Sequence, residues 1–178
     1  MGSIPVGATN FMYFSAKTVG FFNCSLERAF KTAILCDVSK IHTGFGLMPR
    51  ITHCSEDENW GAINSSKKVY AAKSITQPGG YVSTDHVIER IENEKWVIEV
   101  KNFQSWMLGF HTFRGTWKVT EIQPECIRID YAYDLHFKGL WFLPLNWLFT
   151  KLFWTKYMKK VLANIKVLAE NQEPYIYS

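Results

Sequence analysis

The 178-residue sequence predicts an α+β protein in which a curved antiparallel sheet of about seven strands surrounds one long C-terminal helix, with one or two short helices after the first strand. Three observations carry this expectation. The later strands alternate apolar and polar residues with a period of two. A capped amphipathic stretch follows the opening strand directly. A long apolar stripe at helical spacing closes the chain.

Residues 11–23 (FMYFSAKTVGFFN) are rich in aromatic and β-branched types and read as the first strand. Ser25 is then a good N-cap, with Glu27 in the first turn where the helix dipole favours a carboxylate. Leu26, Ala29, Phe30, Ala33 and Ile34 recur at three- and four-residue steps, which predicts an amphipathic helix of about ten residues. A second short helix fits 37–43, before Gly44 and Gly46 loosen the chain. Strands then follow at Arg50–Ser55, closed by the acidic turn Glu56-Asp57-Glu58-Asn59, and at Ile63–Ser74, which ends at Gln77-Pro78-Gly79-Gly80. Tyr81–Ile91 and Lys95–Asn102 form a hairpin about Asn93-Glu94. Phe110–Ile122 and Glu125–Phe137 form another about Gln123-Pro124, where proline favours a turn. In the last pair, Phe113, Trp117 and Val119 oppose Arg114, Thr116 and Lys118. The run from Ile127 through Ile129, Tyr131, Tyr133 and Leu135 to Phe137 opposes Arg128, Asp130 and Asp134. Period two over such lengths marks a sheet with one wet face. The closing helix is placed at 148–170, with Leu148, Leu152, Phe153, Val161, Leu162, Ile165, Leu168 and Ala169 as its apolar stripe. About 22 residues at 1.5 Å each reach about 33 Å, enough to cross a sheet.

Composition narrows the function classes. With 47% hydrophobic and 20% charged residues the chain has enough apolar material for a core, which excludes a disordered polypeptide. A net charge of +4 is too mild to indicate nucleic acid without a clustered basic face. Thirteen Phe, eight Tyr and seven Trp are more large rings than a core of this size normally needs. No repeat or linker divides the chain, so 1–178 is expected to be one domain. The opening Met1-Gly2-Ser3-Ile4-Pro5-Val6 lacks a basic stretch followed by an apolar one, so the expected compartment is the cytoplasm. The four cysteines contain no CxxC and are expected as free thiols. His42, His53 and Cys54 have no ligand spacing, and no metal or cofactor is expected. Neither GxSxG, a P-loop, GxGxxG nor HExxH occurs. Gly139–Trp154 (GLWFLPLNWLFTKLFW) is almost wholly apolar. It falls short of the roughly 20 residues that span a bilayer, and Pro144 and Asn146 interrupt it.

In this order and spacing the chain resembles the SRPBCC superfamily, which includes START lipid-transfer domains, birch-pollen-allergen-like proteins and polyketide cyclase/dehydrase-like proteins. The resemblance rests on four parts: the opening strand; the capped Ser25-Leu26-Glu27-Arg28-Ala29-Phe30; Trp60-Gly61 leading from the acidic turn into Ser65-Ser66-Lys67-Lys68-Val69; and the helix Lys156–Leu168. It covers about residues 12–170. It implies a helix-grip architecture with an internal cavity and no particular reaction.

If the sheet grips the helix, Trp96, Phe113, Trp117, Tyr131 and Tyr133 line the space from the sheet side. Trp141, Phe142, Phe149 and Phe153 would line it from the helix and the entrance, with 139–149 or the loop 43–49 moving to admit a ligand. The plain alternative is that these rings fill a solid core. An apolar wall with tyrosine hydroxyls suits a small hydrophobic ligand, whether lipid or aromatic metabolite. Burying 200–300 Å² of such a ligand is worth about 5–7 kcal/mol before association costs. The expected function is therefore binding, and possible transport, without catalysis. The competing reading is a cyclase/dehydrase-like enzyme in which His86 or His111 works with Tyr131 or Tyr133 to move protons. Arg50, Arg114 and the Lys67-Lys68 pair are cations able to orient an acidic head group. Lys156, Lys159 and Lys160 beside the aromatic stretch suit contact with an anionic membrane surface, or form an ordinary wet helix face.

Overall fold

The computed structural model describes residues 12–75, 78–103, 109–137 and 143–176. Seven strands form one antiparallel sheet: β1 (Met12–Asn23), β2 (Ile51–Glu56), β3 (Ser66–Ala71), β4 (Gly80–Ile91), β5 (Lys95–Lys101), β6 (Phe110–Gln123) and β7 (Cys126–Phe137). Their spatial order is β1-β7-β6-β5-β4-β3-β2, so the first strand returns beside the last and the rest form a meander. Helices α1 (Leu26–Leu35) and α2 (Val38–Ile41) follow β1. The chain ends in α3 (Leu143–Leu148), a π-helical stretch (Phe149–Trp154) and α4 (Thr155–Glu170). This is the expected α+β helix grip.

Local chemistry explains the boundaries. Ser25 Oγ accepts from the Arg28 N–H at 3.2 Å and starts α1. Asp37 caps α2 through the Ser39 N–H at 2.9 Å. The hairpin turns fall at Asn93 (φ 56°) and at Glu125 (φ 59°). β3 is shorter than the expected Ile63–Ser74. Its first residues are taken by a turn in which Ser65 Oγ donates to Ala62 O at 2.6 Å and accepts from the Gly61 N–H at 3.1 Å. On β6 and β7 the alternation holds. Phe113, Gly115, Trp117 and Val119 are buried, as are the odd-numbered residues of β7 from Ile127 to Phe137.

α1 is tied to the sheet by indoles. Trp96 Nε1 donates to Phe30 O at 2.9 Å, Trp117 Nε1 to Ala29 O at 3.2 Å, and Trp60 Nε1 to Ile34 O at 3.0 Å. Buried tryptophan usually finds an acceptor for its N–H, and these three do so on one helix. Trp96 also stacks on Phe30 with ring centroids 4.8 Å apart. On α4, Tyr157, Met158, Val161, Leu162, Ile165, Leu168 and Ala169 are buried. Leu162 closes on β1 at Gly20, where an added Cβ would lie 2.9 Å from its Cδ2.

The last helix differs from expectation in two ways. It begins at Leu143, five residues before the expected start, and its second segment is π-wound. The expected stripe also fails at its beginning: Leu148 and Leu152 point to solvent, while Asn146, Thr150 and Trp154 are buried. The inward face follows the four-residue steps 146, 150, 154, 158, and apolar character alone misplaced it.

A candidate ligand cavity with a polar seam

Between the sheet and helices α1, α2 and α4 lies a cavity of two lobes, of about 60 Å³ and about 90 Å³. Val38, His42, Asp85, Tyr131 and Tyr133 line both lobes, so four polar side chains sit where the lobes meet. Lys67 and Trp60 belong to the lobe nearer α1, and Trp154 and Tyr157 to the other.

The strand register builds this seam. Lys67 on β3 and Asp85 on β4 are directly opposed, which brings their Cβ atoms to roughly 5 Å. Lys67 is only 4% exposed, and its Nζ lies 4.2 Å from the centre of the Trp60 ring. Asp85 is half-buried and lines both lobes. Loss of hydration holds the Asp85 carboxyl above its ordinary range, against the lowering pull of Lys67 and of a 3.3 Å hydrogen bond from Ser83 Oγ. On β7, Tyr131 and Tyr133 share a hydrogen bond, and burial pushes both phenols up. Gly115 on β6 leaves room for this pair, since a Cβ there would fall 2.8 Å from Tyr133 Cζ. From the helical side, His42 Nδ1 and the Tyr157 hydroxyl lie 2.7 Å apart. Burial, then the charge of Lys67, brings His42 down to about 4, so it is neutral at pH 7.

The residues expected at the site divide into groups. Tyr131 and Tyr133 line both lobes, Trp96 and Trp117 the α1 lobe, and Phe113 the other. Phe149 and Phe153 stack on each other at 5.0 Å and pack behind Trp154 and Phe45, outside the lining. Trp141 and Phe142 lie outside the described residues. His86 and His111 line neither lobe. His86 follows Asp85 and falls on the opposite face of β4, within electrostatic reach of exposed Asp57. His111 Nδ1 pairs with the adjacent Thr112 Oγ1 at 3.0 Å. Of the four cations considered as head-group partners, Lys67 is buried while Arg50, Lys68 and Arg114 are exposed.

Asp85, His42, Tyr157 and Trp154 are among the cavity residues that sequence reasoning does not select. Alternation through Val82, Thr84, His86 and Ile88 pointed to the other face of β4. Bulges at Val69/Tyr70 and Val87/Glu89 shift the register about Asp85. An acidic residue mid-strand, flanked by Ser83 and Val87, was the available signal.

All four cysteines are free thiols. Burial pushes Cys36 up to about 12 and Cys24 up to about 11, the reverse of what an activated nucleophile requires. Among the described residues no three His, Cys, Asp or Glu side chains are grouped to hold a metal ion. Nor is any described helix long and apolar enough to cross a membrane.

No protein-family model matches the chain, and no curated protein matches it by sequence. Solved structures do. Ara h 8.0201 superposes with a TM-score of 0.64 at 14% identity, covering 89% of this chain and 98% of its own. A Thalictrum norcoclaurine synthase point mutant, in complex with a transition-state analogue, gives 0.67 at 11% identity, covering 94% and 100%. The di-domain ARO/CYC protein StfQ from the steffimycin biosynthetic pathway gives 0.62 at 13% identity, covering 90% of this chain and 52% of its own. At such low identity the likeness concerns architecture alone: the chain has the helix-grip fold that the SRPBCC superfamily shares.

Proposed function

We propose that the protein binds a small, ring-containing, largely apolar molecule through a polar substituent placed on the seam of Asp85, Tyr131 and Tyr133. The observation that carries this reading is the placement of cross-strand Lys67 and Asp85 and two tyrosine hydroxyls in a cavity with aromatic walls. Buried charges lower stability unless well paired, so a cavity that keeps them has a use for them. Size selects among the expected ligand classes. An apolar cavity of about 150 Å³ takes up benzene, and the two lobes together offer room of that order. A one- or two-ring metabolite fits this scale better than an acyl-chain lipid. Two of the fold relatives are named as a synthase and as an ARO/CYC protein, which is compatible with ring-bearing ligands.

A second reading is favoured by the same convergence. Asp85, with its carboxyl held above its ordinary range, and Tyr133 are two titratable groups facing one space, the minimum for acid–base catalysis on a bound molecule. His86 and His111 have no part in this version.

Native mass spectrometry of the purified protein, with thermal shifts across a panel of phenols, catechols and arylamines, tests the binding reading. A ligand at 100 times its dissociation constant adds about 2.7 kcal/mol of stability and raises the melting temperature. Substitution Asp85→Asn should weaken polar-substituted rings and spare their unsubstituted analogues. Absence of any shift across the panel, with nothing co-purifying, overturns it. Turnover of a bound panel member, lost in Asp85→Asn and in Tyr133→Phe while binding persists, establishes the catalytic version.

A further inference from the structure

The segment Leu143–Trp154 is apolar on both sides: Trp154 is buried and Leu143 and Phe149 pack on the core, yet two polar side chains share that buried row. Its buried side presents Asn146 and Thr150, both 0% exposed. Thr150 Oγ1 donates to Asn146 O at 2.8 Å, yet neither amide atom of Asn146 has a hydrogen-bond partner among the described residues. Its outer side presents Leu145, Trp147, Leu148 and Leu152, which are 51%, 50%, 45% and 56% exposed. A helix packed only for its own core would turn the leucines inward and the asparagine out, because an unpartnered buried amide destabilises while exposed leucines gain nothing. Such an arrangement makes sense where the outer face has an apolar partner of its own.

Charge identifies the partner. Residues 143–169 contain five lysines (Lys151, Lys156, Lys159, Lys160 and Lys166) and no Asp or Glu. Lys151 stands within the apolar face, exposed between Leu148 and Leu152, and Lys156, Lys159 and Lys160 continue exposed along the next turns. A second copy of the chain seated here would bring like charges together across a two-fold axis. An anionic bilayer surface instead offers an apolar layer for the leucines, an interfacial level for the Trp147 ring and phosphate or carboxylate groups for the lysines. We infer that the face Leu145, Trp147, Leu148, Lys151 and Leu152 docks the protein on anionic lipid membranes. The same segment carries Trp154, which lines one lobe of the cavity from its buried side, so docking would bring that lobe toward the bilayer. The inference goes beyond the reading of the cavity and does not depend on it, because vesicle binding is measured without a ring ligand.

Co-sedimentation of the full chain with phosphatidylcholine vesicles containing roughly 30% phosphatidylserine tests it. The expected result is binding to these vesicles that falls steeply as salt rises, and little binding to pure phosphatidylcholine. The double variant Leu148→Ser/Leu152→Ser should lose about tenfold or more in partitioning, and Lys151→Glu several-fold. Both alter exposed side chains, so an unchanged melting temperature shows that the fold is kept. Val19→Ser, an exposed apolar position on β1, should bind as the unaltered protein does. Three results overturn the inference: no binding to anionic vesicles, binding that the two variants leave unchanged, or a dimer in sedimentation velocity that the double variant abolishes.

Discussion

The two ends of the cavity solve the same problem differently. At the α1 end the indole N–H groups of Trp60, Trp96 and Trp117 each reach a carbonyl of α1, and Trp96 is completely buried against Phe30. At the other end Trp154 is also buried, among Phe113, Tyr133 and Tyr157, but among the described residues its Nε1 has no partner, and neither has the Asn146 amide one helical turn before Thr150. Backbone winding changes with it: α1 is an ordinary capped α-helix, while 149–154 is π-wound, a rare geometry. Hydrogen-bond satisfaction makes the first end a fixed wall. The second end keeps the bonds of Tyr157 and Thr150 but leaves its indole and the Asn146 amide unpartnered among the described residues, and is expected to open first.

Substitutions can break this contrast, and the largest effect belongs to the fixed wall. Trp96→Ala removes a fully buried ring and the N–H bond to Phe30 O, and should cost about 3–5 kcal/mol in denaturant unfolding. A loss under about 1 kcal/mol would mean that α1 is not anchored by its indoles.

His42, at the seam between the two ends, supplies a pH-dependent effect of nearly that size. Its folded value of about 4 lies below the ordinary 6.5, so its contribution is present above pH 6.5 and is lost as pH falls through 6.5 toward 4. The span corresponds to about 3 kcal/mol. Asp85 acts in the opposite sense: its raised carboxyl contributes stability at low pH that is lost as pH rises. Comparing unfolding of the protein and of His42→Gln between pH 7 and pH 4 isolates the histidine part, and the variant should show the flatter profile. Parallel profiles would place His42 in water.

At the yielding end the sign reverses. Asn146→Leu keeps the branching and heavy-atom count, though it is larger. It removes two polar atoms that are unpartnered among the described residues and should stabilise by about 1–3 kcal/mol where the added volume is accommodated. The smallest effect is expected for Trp154→Phe, which discards an N–H with no partner among the described residues and should change stability by about 1 kcal/mol or less, against the much larger loss at Trp96.

Much of the fold was legible. The alternation from Ile127 to Phe137 and the cap at Ser25 depend on local pattern, and local pattern placed β7 and α1 to within a residue. The tyrosines of the cavity were legible for the same reason. Asp85 was not, because its direction depends on two bulges and its meaning on Lys67 across the strand, a register no single segment encodes. Leu148 and Leu152 depart from expectation because helical spacing of apolar residues alone does not say which face meets the core. Their neighbours Asn146 and Thr150 occupy that face instead.

Native-state hydrogen exchange measures the difference between the two ends directly. The account predicts that amides of α1, β6 and β7 exchange only through global unfolding, while those of 143–154 exchange at least a hundredfold faster through a local opening. Equal protection across both sets would show a cavity closed at each end by the same rigid core, and would contradict it.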